Sequence, residues 1–109
     1  MALDQIFMAL GDPTRLAIVT RLLQGEATVA ELGAPFGLAQ PTISRHLKVL
    51  EQAGLIETGR DATRRPRRLR PEAIRAVSDW VEPFRRTWEG RFDRLQDLAE
   101  KARNQGESR

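Results

Sequence analysis

Cysteine is absent from this chain, and histidine occurs once, at position 46. Without cysteine the chain cannot form a disulfide, a thiolate metal site or a cysteine-based redox sensor. A single imidazole does not make a metal site. No acid–base constellation and no glycine-rich phosphate loop is visible, which argues against an enzyme. We therefore expect no metal, no cofactor and no catalytic residue.

Long apolar runs are also missing. No segment approaches the roughly 20 apolar residues of a membrane span, and the N-terminus lacks the basic segment and apolar core of a signal peptide. These absences predict a cytoplasmic protein with no membrane partner. With 109 residues, we expect one domain over residues 1–103, followed by a disordered tail at 104–109.

The positive charge is concentrated in the second half of the chain. Residues 1–59 hold four Lys or Arg against six Asp or Glu, whereas residues 60–109 hold fourteen against nine. Much of the excess comes from six arginines, interrupted by the single acid Asp61: Arg60, Arg64, Arg65, Arg67, Arg68 and Arg70. A local basic patch on a nearly neutral body is typical of a surface that binds a polyanion.

The segment 36–56 carries the most specific pattern. Ile43, Leu47 and Leu50 recur at helical spacing and would bury one face. The opposite face presents polar groups that can donate to base edges and phosphates: Gln40, Thr42, Ser44, Arg45 and Lys48. An ordinary amphipathic surface helix is the alternative, but the turn before it and the glycine stop at Gly54 favour the recognition helix of a helix-turn-helix.

His46 lies on this same helix and has three interpretations. It could be a lone metal ligand, a half-buried residue facing the DNA backbone or base edges, or a packing residue. Its place between Ile43 and Leu50 favours the DNA-facing interpretation.

Local signals delimit the preceding helices. A first short helix ends near Gly11, and Asp12 with Pro13 is a good start for the second. Thr28 and Glu31 have the spacing of a capping box, which predicts a third helix. Pro35 should end that helix early, and Gly54 should stop the recognition helix in a left-handed conformation.

The chain after Gly54 predicts a two-stranded hairpin and two further helices. One strand should cover residues 55–58, and the other should return through Arg68 and Leu69 after an arginine-rich tip. Pro66 fits only an edge or a bulge. We expect one helix to begin at Pro71 and a last one to run from about Pro83 to 102. The predicted fold is mostly α, a winged helix-turn-helix with five to six helices and a two-stranded wing.

An apolar stripe follows one face of the C-terminal helices. Its members are spaced three or four residues apart: Trp80, Phe84, Trp88, Phe92, Leu95 and Ala99. Part of it should cover the chain's own core, but two Trp and two Phe exceed what so small a body could cover. We therefore predict a homodimer. Its interface would combine the first helix with this stripe, through Leu3, Ile6, Phe7, Leu10, Phe84, Trp88, Phe92 and Leu95.

Three motifs in order give a family resemblance. Residues 9–15 (ALGDPTR), 38–50 (LAQPTISRHLKVL) and 53–56 (AGLI) resemble the opening, the recognition helix and the wing entry of the ArsR family of winged-helix repressors. The resemblance covers nearly the whole chain. It implies a homodimeric regulator, most simply a repressor, whose two recognition helices enter successive major grooves of double-stranded DNA.

Within that resemblance, bases would be read by Thr42, Ser44, Arg45 and Gln40. Lys48 would hold phosphate, and His46 would face the DNA. The wing would contribute Arg64, Arg65, Arg67 and Arg68 along the flanking minor groove or backbone.

The chain departs from the family pattern at several positions. Ala39 stands where the family usually has a serine cap. Gly33 and Pro35 stand where metal sensors of the third helix carry Cys-x-Cys, and Asp79 has no histidine near it in the sequence. We therefore expect regulation without metal. An effector, if there is one, would bind where Trp80, Phe84 and Trp88 meet the first helix. The alternative function is a dimeric winged-helix module that binds RNA or protein.

Overall fold

The computed structural model describes residues 2–61 and 63–107, and it is mostly helical with one small hairpin. Two compact units are present, Met1–Ala76 and Val77–Arg109. In chain order the elements are α1 (Leu3–Leu10), α2 (Pro13–Leu22), α3 (Val29–Gly33), α4 (Gln40–Gln52), β1 (Ile56–Thr58), β2 (Arg67–Leu69) and α5 (Pro71–Glu107). The predicted fold class, a winged helix-turn-helix, is confirmed.

The predicted helix starts of the first unit are confirmed. Asp12 caps α2 by accepting a hydrogen bond from the backbone N–H of Arg15 at 3.0 Å, and Pro13 occupies the first turn. Thr28 and Glu31 form the reciprocal capping box of α3. These caps satisfy backbone donors that have no partner within their own helix.

The turn between α3 and α4 is built by a proline and a glycine. Pro35 lies in a short 3₁₀ segment, Ala34–Phe36, that follows α3. Gly37 then adopts φ 61°, a left-handed conformation that suits glycine because it has no Cβ. This sharp reversal brings α4 across α3 as the second helix of a helix-turn-helix.

Helix α4 is anchored in the core along one face. Ile43, Leu47 and Leu50 are completely or almost completely buried. The helix ends in a Schellman motif: Gly54 has φ 81°, its N–H donates to the carbonyl of Glu51, and the N–H of Leu55 donates to the carbonyl of Leu50. The core therefore fixes which face of α4 remains outside.

The hairpin pairs β1 with β2 in an antiparallel register, with Ile56 opposite Leu69 and Thr58 opposite Arg67. Its other edge is partly covered as well. Ala27, just before α3, forms an antiparallel bridge to Arg67, with two backbone hydrogen bonds of 3.0 and 2.8 Å. The spacing of the sequence did not indicate this bridge, which ties the hairpin to the start of α3.

The two predicted C-terminal helices are one. Helix α5 runs for 37 residues with Pro83 inside it, so our prediction of a break at that proline is wrong. Proline removes one backbone hydrogen bond of a helix, but Pro83 is exposed, so solvent can reach the carbonyl that loses its donor. The helix also continues to Glu107, which makes residues 104–107 helical rather than disordered. Residues 108–109 of the predicted tail lie outside the described residues.

The predicted apolar stripe lies on the surface of the second unit. Between 47% and 61% of the residue surface is exposed at Phe84, Trp88, Phe92 and Leu95. In the first unit the predicted interface residues differ. Phe7 is exposed, Leu3 and Leu10 are half-buried, and Ile6 is fully buried. Ile6 is therefore a core residue of the first unit, and its assignment to an interface with a partner is wrong.

None of the helices in the described residues combines the length and the apolar character that a membrane span requires.

Candidate nucleic-acid interface

The outer face of α4 carries polar side chains that are free to bind a ligand. Ser44, Arg45 and Lys48 are exposed, and Thr42 is half-buried. Within residues 2–61 and 63–107, the side chains of Ser44, Arg45 and Lys48 make no hydrogen bond or ion pair. A guanidinium, an ammonium and a hydroxyl on one helix face are the groups that meet base edges and phosphates in a major groove.

Helix α4 begins without a side-chain cap. Ala39 occupies the cap position in an extended conformation, and no side chain accepts a hydrogen bond there. Gln40, the first helical residue, is exposed. It does not replace the serine that the family usually has at position 39. No side chain caps this first turn, in which Pro41 has no N–H and the N–H of Thr42 donates to the carbonyl of Ala39 at 3.0 Å.

The tip of the hairpin is shaped by Asp61. Its carboxylate accepts hydrogen bonds from the backbone N–H and the hydroxyl of Thr63, and these bonds hold the pKa of Asp61 below its usual value. Arg65 follows at φ 44°, the only non-glycine residue with positive φ in the described part of the chain. The turn therefore places Arg65 at a conformation that costs some backbone energy.

Two of the predicted wing arginines are paired with carboxylates of the chain itself. Arg64 lies 3.4 Å from Oε1 of Glu31, and Arg68 donates to Oε1 of Glu57 at 2.8 Å. Hydrogen bonds from Thr28, with the charge of Arg64, hold the pKa of Glu31 below its usual value. These exposed pairs are weak, so a phosphate can replace the carboxylate, but each reduces the local positive charge.

The other two wing arginines differ in their freedom. Arg67 is half-buried, and its Nη1 donates to the carbonyl of Arg65. Arg65 is exposed, and its side chain has no hydrogen-bond or ion-pair partner among the described residues. Of the four arginines, Arg65 is therefore the one whose charge is fully available.

A groove joins these elements. It encloses about 490 Å³ between the starts of α3 and α4 and the hairpin tip. Its walls include residues of all three elements: Thr28, Val29, Ala30, Gln40, Ser44, Thr63, Arg64, Arg65 and Arg67. The structure thus brings Gln40 and Ser44 of the helix together with three of the predicted wing arginines on one concave, positively charged surface.

His46 does not join the outer face of α4. Its Nδ1 lies 3.4 Å from Nη1 of Arg15 and 3.8 Å from Oδ2 of Asp12, and the side chain is 20% exposed. The backbone hydrogen bond from Arg15, together with the charge of Arg15, holds the pKa of Asp12 below its usual value. The ring therefore packs against the start of α2. Sequence spacing missed Asp12 and Arg15 as its partners because it does not show which helices meet.

No metal-binding constellation is seen in the part of the chain that the structure describes. There, no three side chains of His, Cys, Asp or Glu converge as a metal site requires.

The comparisons with known proteins agree with this geometry. The family described as "Bacterial regulatory protein, arsR family" matches residues 12–58, which extend from the cap of α2 to the end of β1. One similar protein of known crystal structure is an ArsR family transcriptional regulator. Its sequence is 40% identical to this chain and its fold superposes with a TM-score of 0.69, over 80% of this chain and 96% of that one.

Two further solved structures are similar. The transcriptional repressor BigR from Xylella fastidiosa is 34% identical with a TM-score of 0.59, and the match covers 74% of this chain and 84% of that one. A homodimeric winged helix-turn-helix DNA-binding domain from Mycobacterium bovis is 30% identical with a TM-score of 0.62, over 74% and 75% of the two chains. The chain belongs to the ArsR family of transcriptional regulators, which bind DNA and are not enzymes.

Proposed function

We propose that the chain is a homodimeric repressor that binds a specific, near-palindromic DNA sequence and does not respond to metal ions. The observation that carries the proposal is the outer face of α4. Arg45, Ser44 and Lys48 are exposed and unpaired among the described residues, directly opposite a buried face that fixes the helix. In this proposal Thr42, Ser44, Arg45 and Gln40 read bases, while Lys48 and the wing arginines hold phosphates.

The exposed stripe of α5 supports a homodimer. A contiguous exposed apolar surface of this kind marks an interaction site. Its aromatic side chains already stack in pairs, Trp80 on Phe84 at 4.8 Å and Trp88 on Phe92 at 5.9 Å between ring centroids. A second copy presents the same stripe and would cover it. The similar domain from Mycobacterium bovis is homodimeric, and the similar protein BigR is a transcriptional repressor.

Packing at Gly33 supports the absence of a metal response. Gly33 stands where third-helix metal sensors carry their first cysteine. A Cβ at this position would lie 3.0 Å from Cγ1 of Ile43, so a side chain here would require Ile43 of α4 to shift. With no cysteine in the chain, a thiolate site has no ligands.

The DNA-binding proposal is tested by selection. Purified protein is used to enrich duplexes from a random-sequence pool, and the enriched duplex is then footprinted and titrated beside a scrambled duplex of the same composition. We expect a near-palindromic site with half-sites roughly 34–36 Å apart, protected by two protomers. Equal affinity for both duplexes, or tighter binding to a structured RNA competitor, would contradict the proposal.

In a reporter assay the enriched site should reduce transcription, and increased transcription would contradict the assignment as a repressor.

The absence of a metal response is tested on the same duplex. Zinc, cadmium, nickel and arsenite are titrated into the complex, with a chelator as the control. We expect no release of DNA at stoichiometric metal, because a ligand changes DNA affinity only if it binds the free and bound forms differently. Release at concentrations that leave the dimer intact would overturn this part of the proposal.

A further inference from the structure

His46, Arg15 and Asp12 form one polar cluster between α4 and the start of α2. Besides its contact with Nδ1 of His46 at 3.4 Å, Arg15 donates from Nε to the carbonyl of Ala9 at 2.6 Å. Ala9 lies in the last turn of α1. One arginine therefore touches the end of α1, the start of α2 and the middle of the recognition helix.

The chemistry of these groups fixes the form of the ring. A guanidinium only donates hydrogen bonds, so the 3.4 Å contact is a hydrogen bond when Nδ1 of His46 accepts, which in a neutral ring leaves the proton on Nε2. A proton on Nδ1 would aim a second donor, on a positively charged ring, at the guanidinium. Asp12 does not offer an equivalent bond in this arrangement. Its Oδ2 is 3.8 Å from Nδ1, beyond hydrogen-bond distance, and already accepts from the backbone of Arg15.

The other charged side chains around α4 either form hydrogen bonds or ion pairs with residues other than His46 or are exposed to solvent. In α3, Glu31 binds Thr28 and Arg64, and in β1, Glu57 binds Arg68. On α4 itself, Arg45 and Lys48 are exposed and Glu51 accepts from Thr58. Asp4 lies in the first turn of α1, whereas Arg15 contacts the last turn of that helix. Among the described residues, Asp12 and Arg15 are therefore the charged groups at Nδ1 of His46.

We propose that His46 is a positioning residue of the DNA interface. In its neutral form it fixes the recognition helix against α2 through the hydrogen bond from Arg15, and protonation of Nδ1 breaks this bond. Discrimination between the target duplex and other DNA then falls when the ring is protonated. This inference rests on the DNA-binding function proposed above.

The sign of the pH effect separates positioning from direct contact. If the ring touched a phosphate, protonation would add a positive charge to the interface and would strengthen binding to every sequence. If the ring positions α4, protonation leaves the phosphate contacts in place and misaligns the base-reading side chains. Affinity for the target then falls relative to the affinity for a scrambled duplex.

The test compares the wild type with His46→Asn and His46→Leu. Asparagine places an oxygen acceptor near the position of Nδ1 and does not titrate, whereas leucine fills the space without an acceptor. The ratio of the two dissociation constants, for a scrambled duplex and for the duplex enriched by the wild type, is measured between about pH 5.5 and 8. We expect the wild-type ratio to fall about tenfold at the acid end, a loss of about 1.4 kcal/mol of discrimination. His46→Asn should keep a high ratio at every pH, and His46→Leu a low one.

Several results would overturn the inference. These are a wild-type ratio that does not change with pH, a His46→Leu ratio equal to that of the wild type at about pH 8, or a His46→Asn ratio as low as that of His46→Leu. If circular dichroism shows that His46→Leu does not fold, His46→Phe, which also lacks an acceptor, replaces it in the comparison.

A second measurement needs no DNA. His46 is the only histidine in the chain, so its ring nitrogens give unambiguous ¹⁵N NMR signals. We expect the neutral ring to carry its proton on Nε2, and a proton on Nδ1 would overturn the inference. If the protein enriches no duplex, that result contradicts the proposed DNA-binding function only. The NMR measurement of the His46 tautomer still tests the hydrogen bond from Arg15 independently.

Discussion

At the scale of one residue, the exposed side chain of Arg45 is suited to sequence-specific DNA binding. The side chain lies on the outer face of α4 and has no hydrogen-bond or ion-pair partner within the described ranges. Its guanidinium can therefore make a bidentate contact with a guanine without first breaking an internal bond. We expect Arg45→Ala to weaken binding to the enriched duplex by about 1–3 kcal/mol, measured by fluorescence anisotropy.

Lys48 supplies the matched control on the same face. Lys48→Ala should weaken binding to all duplexes and lower the salt dependence of log K by about 0.9 for each protomer, about 1.8 for the dimer, because it removes one phosphate contact from each protomer. If Arg45→Ala leaves the affinity for the enriched duplex unchanged relative to a scrambled one, Arg45 does not read a base.

The sequence predicted the burial of individual residues correctly where burial follows from the periodicity of a single helix. The helical period indicated that Ile43, Leu47 and Leu50 are buried, and all three are. It could not indicate the direction of His46, because that side chain lies at the edge of the buried face and its contacts come from α2. Ile6 was misassigned for a similar reason, since an apolar residue of an amphipathic helix can face either the core or a partner.

At the scale of elements, the start of α4 is a helix terminus without a side-chain cap. Ala39 has the extended backbone of a cap residue but no side-chain acceptor. We expect Ala39→Ser to raise the free energy of unfolding by about 0.5–2 kcal/mol, because the hydroxyl can accept from the N–H of Thr42, which now donates to the carbonyl of Ala39 at 3.0 Å. Urea denaturation measures the change. Ala39→Val, which lacks an acceptor, is the control and should give no such gain, and an equal gain would contradict capping.

The wing arginines should bind DNA phosphates through their charge, and they should differ in how much each contributes to the salt dependence of DNA affinity. We expect Arg65→Gln to lower the slope of log K against log salt by about 0.9 for each protomer, about 1.8 for the dimer, because Arg65 is unpaired in the described part of the chain. Arg68→Gln should lower the slope by less, since Glu57 at 2.8 Å already offsets part of its charge. Binding titrations at four or more salt concentrations provide the slopes. Equal slopes for wild type and Arg65→Gln would exclude a phosphate contact by Arg65.

Most element boundaries followed from short-range chemistry. The caps at Asp12 and Thr28 and the left-handed stop at Gly54 were readable because each depends on residues within one turn. Pro83 was misleading, since its effect on a helix depends on whether the surroundings can tolerate one missing hydrogen bond. The bridge between Ala27 and Arg67 was unreadable because 40 positions separate residues that only the fold brings together.

For the whole molecule, the exposed stripe of α5 leads to a prediction about assembly. Trp88 and Phe92 stack on each other and are 47% and 61% exposed, and the guanidinium of Arg91 lies over the Trp88 ring. We expect Trp88→Glu combined with Phe92→Glu to raise the dimer dissociation constant by roughly several hundredfold, because buried interface aromatics contribute about 2 kcal/mol each or more. Sedimentation equilibrium measures this constant.

Asp97→Lys is the control for that experiment, because Asp97 lies on the opposite side of the helix from Trp88 by helical spacing. It should leave the dimer intact. A double variant that remains as dimeric as the wild type would move the interface away from the stripe.

The close packing of Ile43 against the backbone at Gly33 also limits which residues can replace Gly33. A cysteine at position 33 would press its Cβ against Cγ1 of a fully buried isoleucine at 3.0 Å. Valine at position 43 would not relieve the conflict, since it keeps a carbon at Cγ1, and alanine would remove about 2–5 kcal/mol of core packing. An evolutionary or engineered route to a thiolate ligand here therefore requires Ile43 to shift by a few tenths of an ångström, and the packing around Ile43 decides whether that shift lowers stability.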